Sequence, residues 1–364
     1  STKLKSLSHF ALSKVSKNRN QKLYQFKSSL NMLKNPLSKL PFHFSMGVLG
    51  AFIALILLLE MIWFLGTFQV FLNVVLPVFA LVAIGFFAGP LLGLKAKTMT
   101  RYAYFILIPA FVFNVISQSS VPLSTTLTIV GYSVVTHIMV AIGAVIVGTI
   151  LGRSREVIAA FVLITIFGNV ENCGLSILDF RFGEVSKVPA TFYFLSILVT
   201  SFVIGVGVAG WVRKGSLSAV TSVLKTPALL ALPPAAIFAV TGWEVPLSVK
   251  RLTGLLGQAM IPTMIVTLGV QLSSVQKLDL NVDTWIACGL RLLLAPLLAF
   301  GLAFIFPLGE LEKNIGILHA AMPTAILAAI TAIEYDLVPD FVTTSVLLST
   351  ILGVFTLTIL LSII

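Results

Sequence analysis

After about residue 45 the chain is a succession of apolar runs of roughly 20 residues, joined by short loops. Wound at ~1.5 Å per residue, a run of that length matches the ~30 Å hydrocarbon core of a bilayer. Charged residues make up only 10% of the chain, against roughly 25% in a soluble domain. The chain therefore reads as an integral membrane protein. Hydrocarbon offers backbone groups no water, and barrel strands need only about 10 residues, so these runs are expected to be helices.

The formal net charge of +11 suggests nucleic acid only until it is mapped. Nine of the 24 basic residues, Lys3 to Lys39, fall in residues 1–45, where there is no acid at all. The rest of the chain carries 15 basic against 13 acidic residues. The charge belongs to one tail, expected to be solvated or to lie on anionic headgroups. No reading motif accompanies it, so no nucleic-acid partner is expected. The tail is Ser-rich like an organelle transit peptide, but Arg19 is its only arginine. Cys173 and Cys288 both lie in apolar runs and imply no disulfide.

The runs predict eleven helices, near 46–67, 70–93, 101–118, 125–151, 157–178, 189–212, 222–242, 251–273, 283–306, 313–333 and 341–363. Setting the first aside, alternate loops hold nine basic residues (Lys95, Lys97, Arg101, Arg153, Arg155, Arg213, Lys214, Lys225, Lys277) against five (Arg181, Lys187, Lys250, Arg251, Lys313). Lys and Arg favour the cytoplasmic side, which puts the nine inside. The extra helix at 46–67 would then carry the 1–45 tail to the cytoplasm, with an uncharged outer turn at Gly66 to Gln69 and the C-terminus outside. The expected location is the plasma membrane. A start at Met61 is the alternative, with the residues before it outside the native protein.

The last ten helices contain an internal echo. "ILIPAFVFNVISQ" (Ile106 to Gln118) resembles "AMIPTMIVTLGVQ" (Ala259 to Gln271), and Pro109 and Pro262 are 153 positions apart. Gly168 in "FGNVENCGLSI" and Pro323 in "HAAMPTAILAA" are 155 apart. Two landmarks with nearly one offset predict two five-helix repeats, 70–212 and 222–364. Five is odd, so the second repeat is inverted. Such transporters bind substrate near the midplane, where helices break at matching positions in each half. Gly and Pro are the residues that break helices, at about 1 and 3 kcal/mol. The predicted breaks are Gly168 and Pro323, each mid-way along its run.

At this point the chain resembles the auxin efflux carrier family, which includes plant PIN-type carriers and many bacterial transporters. "GNVENCGLS" is similar to that family's fourth-helix pattern Asn-Thr-Gly-Asn-x-Gly-x-Pro, and "AAMPTA" followed by "EYD" looks like its ninth-helix crossover. "LPVFALVAIGFFAG" and "MIPTMIVTLGVQL" also look like family segments, so the resemblance runs from about Phe71 to the C-terminus. Two departures stand out: Val170-Glu171 replaces Thr-Gly, and Ser176 replaces the later Pro. The resemblance implies an all-α membrane protein of ten helices in two inverted repeats, crossing at broken fourth and ninth helices; residues 1–67, with the extra N-terminal helix read from the apolar run, have no counterpart in it. It also implies elevator-type export of organic anions.

The candidate substrate-binding residues are Gly168, Asn169, Asn172, Pro323 and Thr324, where broken helices free backbone groups and amides add hydrogen bonds. Asn169 and Asn172 as interhelical ties is the competing reading. Glu171 is a mid-span carboxylate, costly and so a proton-coupling candidate, with a structural pairing as the alternative. Asn114, Gln271 and His319 form a second tier. His137 reads as packing, and Arg291, near a helix end, as snorkelling to the interface. The expected function is a secondary transporter for a small organic anion, an auxin-like weak acid or a dicarboxylate. The partners are that anion and membrane lipid, with a homodimer left open. No metal or cofactor is expected. A sensor on the same fold and an intramembrane enzyme are the alternatives. The enzyme lacks a base for Ser176 and has no His-Glu-x-x-His, and no Walker A motif supports ATP drive.

Overall fold

The computed structural model describes residues 42–212, 224–275 and 278–364, with side-chain surroundings from Ala54 onward. Most of the basic tail, and Arg213, Lys214 and Lys277 of the charge-bearing loops, lie outside the described residues.

The described chain is helical apart from one isolated β-bridge. Its α-helices are α1 (Phe42–Val70), α2 (Leu76–Leu91), α3 (Ala96–Tyr102), α4 (Ile108–Ile116), α5 (Leu123–Ile150), α6 (Arg155–Ile166), α7 (Leu175–Phe182), α8 (Lys187–Val212), α9 (Pro227–Thr241), α10 (Leu247–Ser273), α11 (Val282–Gly289), α12 (Ala295–Ala303), α13 (Glu310–Ala321), α14 (Ile326–Glu334) and α15 (Pro339–Ile363). Seven helical stretches are long and apolar enough to cross a membrane, and Pro227–Thr241 is a shorter apolar helix.

One sequence expectation is corrected. The predicted helices at 46–67 and 70–93 are not separated by a turn: α1 runs through Gly66 to Gln69 and continues by a π-turn into α2. Ala54–Leu91 is thus one apolar helical stretch of 38 residues. Gly66-Thr67-Phe68-Gln69 contains no proline or turn dipeptide. The ~1 kcal/mol cost of one glycine is smaller than that of leaving several backbone groups unbonded in hydrocarbon.

Four π-turns interrupt the helices, at Phe71–Val75, Ala103–Leu107, Val170–Gly174 and Leu290–Leu294. Three of them have one cause. Leu76, Ile108 and Ala295 each donate to a carbonyl five residues back, and each directly precedes a proline: Pro77, Pro109 and Pro296. Proline has no N–H and its ring collides with the carbonyl four residues back; one wider turn removes the collision. At the fourth, Leu175 donates to Val170 and the next residue is Ser176, whose hydroxyl donates to the Asn172 carbonyl at 2.6 Å. The backbone is already shaped for a proline there. Ser176→Pro is expected to change stability by no more than about 1 kcal/mol, whereas Ala144→Pro inside α5 should cost about 3 kcal/mol or more. Thermal unfolding in detergent compares the two, and equal losses would refute this account of the turn.

The helices pack in two groups. In the first, α2 and α4 pack on α10, and α4 also on α9. The α2–α10 contact brings backbones together: a Cβ on Gly85 would lie 2.1 Å from the Val266 carbonyl oxygen, and one on Gly269 2.0 Å from that of Val82. In the second, α5 packs on α6, α8 and α12, while α13 packs on α12 and α14 on α15. The buried core runs through both groups.

Candidate functional site: the crossing of two broken helices

Both predicted breaks occur, and they meet. Helix α6 ends at Ile166, and Phe167 to Asn169 leave helical geometry before the chain rewinds at Val170. Helix α13 ends at Ala321, and Met322 to Ala325 are extended before α14 begins. Gly168 and Thr324 pair as an antiparallel bridge. The Asn169 N–H donates to the Pro323 carbonyl at 2.7 Å, and the Ala325 N–H donates to Phe167 at 2.7 Å.

A helix end leaves up to four carbonyls without partners, which is costly in a buried setting. At α6 each of the last ones is met from elsewhere. Ile164 accepts from Thr324 Oγ1 (3.1 Å), Thr165 from Arg291 Nη1, Ile166 from Ser201 Oγ (2.8 Å), and Phe167 from the Ala325 N–H. At α13, Arg291 also donates from Nε to Met322 (2.6 Å) and from Nη2 to His319 (3.3 Å). One guanidinium therefore ties the C-terminal ends of both half-helices, where the macrodipole favours a cation. Its fixed fork of donors suits several acceptors at once. Arg291 sits on the π-turn Leu290–Leu294 and is buried, so the expectation that it snorkels is wrong. Its charge is held by two helix ends, which makes the interior tolerable. Gly168 leaves the space: a Cβ there would fall 2.0 Å from Arg291 Nη2.

While the carbonyls are satisfied, several side chains are not. Among the described residues, fully buried Asn169 has neither Oδ1 nor Nδ2 hydrogen-bonded, and buried Asn172 leaves Oδ1 unpartnered. His319 is buried as well, with the Ala190 backbone nearby. His319 lies beside Gly174, and its ring centroid is 5.7 Å from that of Tyr193. Unpartnered buried polar atoms cost about 1–3 kcal/mol each, which makes such a group a ready hydrogen-bonding partner for a polar ligand. His137 differs, since its Nδ1 lies 2.9 Å from the Ser133 carbonyl. A carbonyl only accepts, so Nδ1 carries the proton.

Glu171 lines a small cavity of about 20 Å³ with Phe167, Val170, Ser201, Ala325 and Leu327. This space lies where the second halves of both broken helices begin. It holds about one water-sized group, since that needs roughly 10–15 Å³. A second cavity, of about 580 Å³, lies between α7–α8 and the faces of α2, α4 and α10, within the ~300–1,000 Å³ range of small-molecule sites. Leu81, Phe111, Val115, Ile261 and Ile265 give it apolar walls, and Asn114, Gln118, Gln258, Asp179, Glu184 and Lys187 its polar groups.

The structure thus brings together Gly168, Asn169, Pro323 and Thr324, with Glu171, Asn172 and His319 close by. Thr324 has little left to offer a ligand: its hydroxyl is used on Ile164 and its N–H donates to Ser349 Oγ at 3.1 Å. The two matched amides separate. Asn114 lines the large cavity, whereas Gln271 does not, its Nε2 donating to Thr100 Oγ1 at 2.9 Å. Ser201, Gln258 and Asp179 are not among the candidates the sequence offers. Arg291 is visible there as a charge within an apolar run, but it reads as snorkelling.

A family model described as membrane transport protein matches residues 211–361, about two fifths of the chain, a stretch that carries the second break. Over that stretch the chain is similar to this family. An uncharacterised transporter of Methanocaldococcus jannaschii is 25% identical over 291 residues, covering 77% of this chain and 94% of that protein. Another uncharacterised transporter, from Methanothermobacter thermautotrophicus, is 34% identical over 116 residues, 32% of this chain and 38% of its relative. Both relatives are named as transporters, and this chain has, as a membrane protein does, several helices fit to cross a bilayer.

Proposed function

We propose that this chain is an auxin efflux carrier family member, a secondary transporter exporting a small organic acid across the plasma membrane, with the crossing of the broken helices as its polar centre. The observation that carries the reading is Asn169: a fully buried amide, unpartnered at both ends, at the residue where a membrane helix breaks. Half-helix N-termini beginning at Val170 and Ile326 carry partial positive charge suited to an acid group. Two five-helix halves, 70–212 and 222–364, related by inversion, account for both breaks occurring in fourth position. The group formed by α2, α4, α9 and α10 would be the static frame, and the crossing bundle would move against it. The 580 Å³ cavity between the groups is the access route. The Ser1–Ser45 tail would face the cytoplasm. Ser176, the nucleophile an enzyme would need, spends its hydroxyl on a backbone carbonyl.

Glu171 supplies the proton link in this reading. It has no ion pair or hydrogen bond among the described residues, and Tyr104 is within its electrostatic reach. A carboxylate in such a place can change charge between access states. A thermal-shift screen of weak organic acids, followed by flux of any hit in proteoliposomes, tests the function. Flux is expected to depend on pH, with the dependence weakened in Glu171→Gln. Asn169→Ala should weaken affinity about tenfold, one lost charge-assisted contact, and leave the pH profile in place. An unchanged rate and profile in Glu171→Gln would make Glu171 structural.

A further inference from the structure

The two walls of the 580 Å³ cavity carry different chemistry. On the side of α4 and α10 stand Asn114 and Gln258. Asn114 Oδ1 accepts from Gln118 Nε2 at 3.2 Å, while among the described residues no hydrogen bond engages Asn114 Nδ2 or the Gln258 amide. These are neutral donors for an acid group. The facing wall, from the end of α7 to the start of α8, carries Asp179, Glu184 and Lys187. Lys187 Nζ contacts both carboxylates, Asp179 at 3.6 Å and Glu184 at 2.5 Å. Among the residues lining the cavity, one ammonium for two carboxylates leaves a negative charge in excess, while Arg181 of the same segment lies over the Phe182 ring. Arg291 does not line this cavity, and each of its nitrogens sits on a backbone carbonyl.

A cleft lined by one sign of charge concentrates the opposite sign. A plain organic anion gains hydrogen bonds from one wall and repulsion from the other. A molecule carrying both an acid and a protonated amine satisfies both walls. We propose that the substrate is an amino-acid-type zwitterion with an apolar side chain, and that it docks first in this access cavity, its carboxylate on Asn114 and Gln258 and its ammonium on Asp179 and Glu184, before it reaches Asn169 at the crossing. The aliphatic and aromatic walls, Leu81, Phe111 and Ile265 among them, take the side chain. This rests on the reading of the protein as an organic-acid transporter and narrows the class of acid.

The test uses three matched probes with the full-length protein: phenylalanine, 3-phenylpropionate and phenethylamine. They share the ring and differ in carrying both charged groups, the acid alone or the amine alone. Binding by thermal shift and flux in proteoliposomes should favour phenylalanine by about tenfold or more over either partial analogue, the ratio worth ~1.4 kcal/mol. Asp179→Asn and Glu184→Gln should shrink the preference for phenylalanine over 3-phenylpropionate while 3-phenylpropionate itself binds no worse. Glu184 is largely exposed, so its variant keeps the comparison available if Asp179→Asn folds poorly. Preference for 3-phenylpropionate would overturn the zwitterion and leave the organic-acid transporter standing. Preference for phenethylamine would overturn both. Binding of none of the three would overturn the zwitterion proposal, with the weak-acid screen deciding the broader reading separately.

Discussion

Arg291→Met is expected to cost at least about 3 kcal/mol of stability, enough to remove most folded protein from a detergent extract. Methionine fills much of the volume but donates nothing, so the carbonyls of Thr165, His319 and Met322 lose a partner together. Each unsatisfied buried group costs about 1–3 kcal/mol. Two helix C-termini would also face each other with no cation between them. Arg291→Lys should not rescue, because one ammonium cannot reproduce a planar fork reaching acceptors on two helices. Size-exclusion profiles and unfolding temperature measure the effect. A well-folded Arg291→Met protein would show that the crossing does not depend on this residue.

Gly168→Ala is expected to approach that loss, at about 3 kcal/mol, although it adds a single methyl group. The new Cβ would sit 2.0 Å from Arg291 Nη2 and 2.8 Å from its Cζ, so the guanidinium must leave its acceptors. Overpacking costs about 1–3 kcal/mol, and each charge-assisted hydrogen bond lost adds about 1.5–3 kcal/mol. Both substitutions damage the same tie. The double variant Gly168→Ala with Arg291→Met should therefore cost less than the sum of the two, by more than about 1 kcal/mol. Strict additivity in unfolding experiments would mean that Gly168 matters for some other reason.

What the sequence disclosed about this site follows the reach of each signal. Gly168 and Pro323 announce themselves because helix breakers in mid-span are locally visible, and their shared offset exposes the pairing. Asn169 and Glu171 stand out because polar side chains in hydrocarbon are costly wherever they point. Arg291 was misjudged because its acceptors lie 126 positions away at Thr165 and 28 and 31 away at His319 and Met322. No local pattern encodes those distances, and a position near a helix end suggested the interface instead. The turn expected at Gly66 to Gln69 failed because one small residue and two polar ones do not outweigh helix hydrogen bonding in an apolar run. Asn114 and Gln271 hold matching places in similar segments, yet one lines a cavity and the other ties α10 to α3.

The most direct test of the central claim, that the crossing of the broken helices is the working centre of a transporter, is substrate flux through Asn169→Ala in proteoliposomes. Asn169 makes no side-chain hydrogen bond among the described residues, so its loss should leave the unfolding temperature nearly unchanged while raising KM about tenfold, or ~1.4 kcal/mol. A wild-type protein that moves no organic acid in either direction, or an Asn169→Ala protein with wild-type KM and rate, would contradict the account.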